Sequence, residues 1–89
     1  MEIKVKKLSM EEIEKLGIKN WPIWEKEESE FDWYYDEREQ CYFLEGEVEI
    51  ILPDGEKIEI KKEDFVEFPK GLSCRWKIKK KVRKHYNLG

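Results

Sequence analysis

The sequence predicts an all-β domain, a small sandwich or barrel of short antiparallel strands with one short N-terminal helix. Three observations carry that prediction. Apolar residues recur at a period of two, as where Ile58 and Ile60 alternate with Glu59 and Lys61. Chain-reversing corners follow one another closely, at Gly46, Pro53-Asp54-Gly55 and Pro69-Lys70-Gly71. Helical periodicity is confined to the segment after Ser9. With 89 residues the chain allows one domain, residues 1–89, whose core is marginal by surface-to-volume.

The elements follow in order. Ile3 and Val5 alternate with charged residues and read as a first strand. Ser9-Met10-Glu11-Glu12 is a capping-box signature, in which Ser9 accepts from a free helical amide and Glu12 reaches back to the amide of Ser9. Ile13 and Leu16 share a face and Gly17 stands where a C-cap glycine belongs, giving a helix over residues 10–16. Trp21-Pro22-Ile23-Trp24-Glu25 is extended, with Pro22 favouring an edge or a strand start. Residues 30–35 form the next strand. Residues 40–52 are long, β-rich and interrupted by Gly46, which predicts a bend between two strand halves. Pro53-Asp54-Gly55 turns the chain back through Ile58 and Ile60. Residues 65–68, 74–78 and 82–86 complete the set as three strands. The basic run Lys77-Ile78-Lys79-Lys80-Lys81 reads as a solvated strand end or turn.

Composition excludes several roles. Charged residues make up 44% of the chain yet the net charge is −3, so the charge is mixed and nucleic acid is not an expected partner. The alternating start is unlike a signal peptide and no stretch approaches the length of a membrane span, so the expected location is the cytoplasm, without a membrane partner. Lys and Glu dominate the charged set, a pattern associated with hyperthermophile ion-pair networks. Cys41 and Cys74 form neither a zinc spacing nor a disulfide-rich scaffold.

Two half-motifs carry more information. Glu39 is followed seven residues later by Gly46, and Pro69-Lys70-Gly71 is followed three residues later by Cys74. These spacings resemble the two signature motifs of the cupins, in which His-x-His precedes the glutamate and a further histidine follows Pro-x-Gly. The histidine positions here hold Asp32 or Trp33, Tyr34 or Tyr35, and Cys74. Trp24-Glu25, residues 31–35, Asp54-Gly55, Asp64, Trp76 and Val82-Arg83-Lys84-His85-Tyr86 extend the likeness over most of the chain from residue 23 onward. The sequence thus resembles the small single-domain cupins grouped with ureidoglycine aminohydrolase and the ethanolamine-utilisation cupin, close to minimal hyperthermophile members of unassigned function. The resemblance implies a cupin jelly-roll β-barrel with an open cavity. The histidine-bearing metal motif of the true aminohydrolases is missing.

Alternation then proposes the lining of that cavity. Cys41 and Phe43 share a face with Glu39, as Trp76 and Ile78 do with Cys74. Val82, Lys84 and Tyr86 form one face of the last strand, and His85 falls on the other, where it is expected at the surface. Glu39 is the expected polar anchor and candidate acid/base, with Lys84 as a counter-charge. Trp24, Trp33, Tyr35, Cys74, Trp76 and Tyr86 are the expected wall, an aromatic lining with few polar groups. An inward carboxylate costs desolvation, so Glu39→Gln is expected to leave stability unchanged or raised. Glu39, Cys74 and a tyrosine make a poor ligand field for zinc, manganese or iron, so no metal cofactor is expected. The function expected is metal-free binding of a small polar or anionic molecule. The alternatives are a hydrolase or isomerase related to ureidoglycine chemistry, using Glu39 as acid/base, and a structural module that forms a homodimer through an open strand edge.

Overall fold

The structure, a computed structural model, describes residues 2–89. Strand accounts for 60% of the chain and helix for 11%, in line with the all-β expectation. The elements run β1 (Lys4–Lys7), α1 (Met10–Leu16), a 3-10 turn (Ile18–Asn20), β2 (Ile23–Lys26), β3 (Ser29–Tyr34), β4 (Glu39–Ile51), β5 (Lys57–Lys61), β6 (Asp64–Phe68) and β7 (Ser73–Leu88). The expected capping box closes α1. Ser9 Oγ accepts from the Glu12 N–H at 3.1 Å, Glu12 Oε1 accepts from the Ser9 N–H at 3.0 Å, and Gly17 ends the helix at φ 67°. The 3-10 turn after it plants Ile18 in the protein interior.

All seven strands belong to one antiparallel sheet folded on itself, and β4 and β7 are its frame. They pair from Glu39↔Leu88 to Ile51↔Arg75. The first part of β4 also pairs with β6, which carries β1, and its second part pairs with β5. The first part of β7 takes β3 and its second part takes β2. Each long strand therefore serves both halves of the jelly roll. The core, with Phe43, Val48, Ile50, Phe68, Trp76 and Val82 at its centre, lies between those halves.

Two expectations need correction. Residues 74–78 and 82–86 are parts of the single 16-residue strand β7, and the lysine run lies in its middle. An unbroken ladder is tolerable there because the outward cations meet carboxylates on neighbouring strands and in the β2–β3 loop: Lys79 pairs with Glu49 and Glu59, Lys80 with Glu47, Lys81 with Glu27 of that loop and Arg83 with Glu25. His85 is buried, not superficial. The segment before β2 folds over it, and its Nδ1–H donates to the carbonyl of Trp21 at 2.9 Å. Both cysteines are free thiols, since Cys41 faces Tyr86 while Cys74 lies at the opposite end of β7 beside Trp33. Among the described residues no helix is long and apolar enough to cross a membrane.

The bend expected at Gly46 is a cluster of irregularities within one strand. The β4–β7 register shifts between Phe43 and Val48. Gly46 adopts φ +114°, and a Cβ there would stand 2.6 Å from the Lys81 carbonyl oxygen and 2.8 Å from Val82 Cα. Those obstacles are backbone and cannot swing aside. Gly46→Ala is therefore expected to lose more than about 2 kcal/mol in denaturant unfolding. A loss below about 0.5 kcal/mol, the scale of an ordinary surface substitution, would show that the bend does not need glycine.

Candidate functional site

The bulged ladder sets the site. Beyond the irregular stretch Phe43 is paired with Lys84, Cys41 with Tyr86 and Glu39 with Leu88, while Trp24 of β2 flanks Lys84 on its other side. Residues two apart share a face, so Glu39, Cys41 and Phe43 point inward from β4, and Val82, Lys84 and Tyr86 point inward from β7. The Lys84 side chain runs under this face and ends beside Glu39. Its Nζ donates to Glu39 Oε2 at 2.8 Å and to Cys41 Sγ at 3.2 Å, and the Cys41 thiol donates to the same Oε2 at 2.9 Å. Three aromatic faces surround the ammonium, with ring centres at 4.8 Å for Trp76, 5.0 Å for Trp24 and 5.9 Å for Phe43.

Burial and charge act against each other here. Burial alone would lower the Lys84 pKa, but the Glu39 carboxylate, helped by the hydrogen bond to the Cys41 sulfur, overcomes it and holds the ammonium above its ordinary value. Burial pushes the Cys41 thiol up, only partly offset by Lys84, so Cys41 remains a neutral S–H donor. Burial, with Cys41 and Glu39 nearby, likewise raises Tyr35 far above its ordinary range and keeps its hydroxyl protonated.

Beside this cluster lies a cavity of about 240 Å³. Trp24, Phe31, Trp33, Trp76 and Tyr86 wall it, with Tyr35, Glu39 and Lys84 as its buried polar groups. Tyr34, Asp36, Glu37 and Leu88 are exposed around its mouth. Trp76 organises the wall: Phe31 stacks on it with centroids 6.0 Å apart, Trp24 meets it edge-on at 5.8 Å, and its indole N–H donates to Tyr35 Oη at 3.2 Å. Tyr35 in turn stacks on Phe68 at 4.7 Å.

Seven of the ten side chains proposed from sequence meet at this cavity: Trp24, Trp33, Tyr35, Glu39, Trp76, Lys84 and Tyr86. Cys41 and Phe43 are wholly buried beneath Lys84 and support the cavity without lining it. Cys74 is displaced from the expected wall. It borders a separate, more open hollow with Asp32, Leu52, Pro53 and Arg75, because it pairs with Trp33 at the far end of β7 from Lys84. Burial pushes its thiol up to about 11, so it is neutral there. Sequence reading missed Phe31, Tyr34, Asp36, Glu37 and Leu88. Phe31 had a signal, since it precedes Trp33 and Tyr35 on their face by the same period of two.

A metal ion does not fit this donor set. Among the described residues no three His, Cys, Asp or Glu side chains converge, and the one inward carboxylate is already engaged by an ammonium.

A folded antiparallel sheet framing one inward-facing cavity is the architecture of a small cupin. The chain belongs to the EutQ-like cupin family, matching that domain over residues 13–86. It is similar to a DUF861 family protein from Thermotoga maritima, with 58% identity and a TM-score of 0.97 over 99% of this chain and 100% of that one. It shares its fold with the Clostridium difficile EutQ protein, at 24% identity and a TM-score of 0.69 over 97% of this chain and 66% of that one. A putative ethanolamine utilization protein Q from Salmonella typhimurium gives 22% identity and a TM-score of 0.67, covering 97% of this chain and 68% of that one. No curated protein matches the chain.

The pairing of Glu39 with Lys84 reverses the stability expected for Glu39→Gln. The two side chains are 11% and 6% exposed, so removing either partner strands a buried charge. Lys84→Met or Glu39→Gln alone is expected to lose about 3–5 kcal/mol, and the double variant to recover most of it. Because the folded-state pKa of Lys84 is raised, its contribution is complete below the ordinary lysine value of 10.5 and fades as pH rises through the elevated one. Additive losses in the double-mutant cycle, or wild-type stability falling well before pH 10.5 by an amount absent from the double variant, would contradict this account.

Proposed function

We propose that the protein binds a small polar molecule in the aromatic cavity without a metal ion. The observation that carries this reading is the Lys84 ammonium. Two of its hydrogens are directed to Glu39 and Cys41, and the third remains for a ligand oxygen. Tyr35 reinforces it: the hydroxyl accepts from Trp76, while its own hydrogen has no acceptor among the described residues. At roughly 30 Å³ of liquid volume per water, the cavity has the volume of about eight waters, the scale of a small organic molecule.

Binding is favoured over catalysis by the state of the reactive groups. Cys41 is enclosed and its thiol is held protonated, so it is not an available nucleophile. Lys84 is held as an ammonium, which suits electrostatic recognition and not imine formation. Glu39 already accepts from two protein groups through one oxygen, which makes it a partner in orientation more than a proton carrier.

Native mass spectrometry of protein purified without added small molecules tests this reading. A noncovalent adduct is expected on the wild type and absent from the Glu39→Gln/Lys84→Met variant, which keeps the cavity shape and removes its charges. An adduct held equally by both proteins would place the ligand elsewhere.

A further inference from the structure

Resting on that reading, we infer that the cavity takes a neutral, flat molecule with an N–H and a C=O side by side, an amide or lactam edge, and disfavours a free carboxylate.

The charge balance gives the first reason. The Lys84 ammonium is matched by Glu39, while Asp36 and Glu37 at the mouth have no cationic partner among the described residues. A carboxylate entering the cavity therefore meets one cation and three anions. Asp36 and Glu37 are exposed and act only as a screened negative rim, whereas the repulsion from the buried Glu39 is stronger than it would be in bulk water.

The second reason is the arrangement of unused hydrogen-bonding groups. Glu39 Oε2 accepts from both Lys84 and Cys41, whereas Oε1 accepts from no described residue. Among the described residues no sealed side-chain oxygen or nitrogen lacks a partner, so Oε1 is not sealed, and Glu39 lines the cavity. The same carboxylate thus presents an open acceptor beside the free hydrogen of Lys84. An amide or lactam edge satisfies both at once, its C=O accepting from Lys84 and its N–H donating to Oε1. Tyr35 supplies a second donor for the carbonyl oxygen. A carboxylate has no hydrogen for Oε1 and would set two like charges together.

The walls give the third reason. Trp76 is buried under its own ring neighbours, and the aromatic surface left open to the cavity comes from Trp24, Phe31, Trp33 and Tyr86. Flat conjugated molecules gain most from such surfaces.

Three probes decide the matter with the wild-type protein at neutral pH, read by the indole signals of Trp24 and Trp76 in nitrogen-edited NMR spectra. The probes are 2-pyridone, which has the edge; 1-methyl-2-pyridone, which lacks the N–H; and benzoate. Saturable shifts with 2-pyridone are expected, with the methylated compound and benzoate each roughly tenfold weaker, since a buried acceptor is left unpaired in both cases. Benzoate binding at these indoles as tightly as 2-pyridone would overturn the ligand class and leave cavity binding intact. Equal affinity for the two pyridones would remove the contact to Glu39 and the inference with it. If none of the three moves either indole signal, the cavity reading and the inference fall together.

Discussion

Everything at the site depends on a buried cation. A lysine ammonium inside a small β-barrel is sustained by a carboxylate at hydrogen-bond distance and by aromatic faces that receive its remaining field. Glu39 is the carboxylate, Trp24 and Trp76 provide the closest faces, and the Cys41 thiol bridges ammonium and carboxylate. This requirement explains why otherwise unlike side chains occupy one face of two paired strands. It also fixes their states: a charged lysine and neutral thiol and phenol groups, each set by the balance between burial and the neighbouring charges.

The backbone makes the pairing possible. Lys84 lies opposite Phe43, not Glu39, and its long stem is what carries the charge along the strand. The register that puts Lys84 opposite Phe43 is set beside the irregular stretch around Gly46, where a side chain would collide with the backbone of β7. A slip of one residue would turn Lys84 outward and bring Arg83 or His85 in. On the outer face the opposite arrangement holds, with exposed lysines meeting glutamates across the strands of a mixed-charge surface.

Much of this is legible in the sequence. Ser9, Glu12 and Gly17 specify a helix start and stop through local hydrogen bonds, which is why those boundaries were readable. Period-two alternation put Lys84 and Tyr86 on one face and Cys41 and Phe43 with Glu39, because side-chain direction in a strand is a local property. What was not legible was long-range. Nothing local in the lysine run shows that it continues a strand, since its partners Glu27, Glu47 and Glu49 arrive from elsewhere in the chain. The motif spacing of Cys74 gives a face but not which end of the folded sheet it occupies, and the structure sets it at the neighbouring hollow. Alternation gives the side of the strand on which His85 lies, but not the return of Trp21 across that side, which buries it.

Trp33, about half exposed, borders the cavity and the neighbouring hollow alike, and with its exposed neighbour Tyr34 it partitions the two spaces. The polar groups of the cavity sit in the core, where change is costly, whereas this partition stands at the surface, where it is cheap. A lineage that altered position 33 would enlarge the chamber or widen its link to the adjacent hollow at the cost of the edge-on contacts with Phe31 and Tyr35, while the direct contacts of Lys84 with Glu39 and Cys41 stay in place. Divergence in the size of what is admitted is thereby separated from the chemistry that holds it.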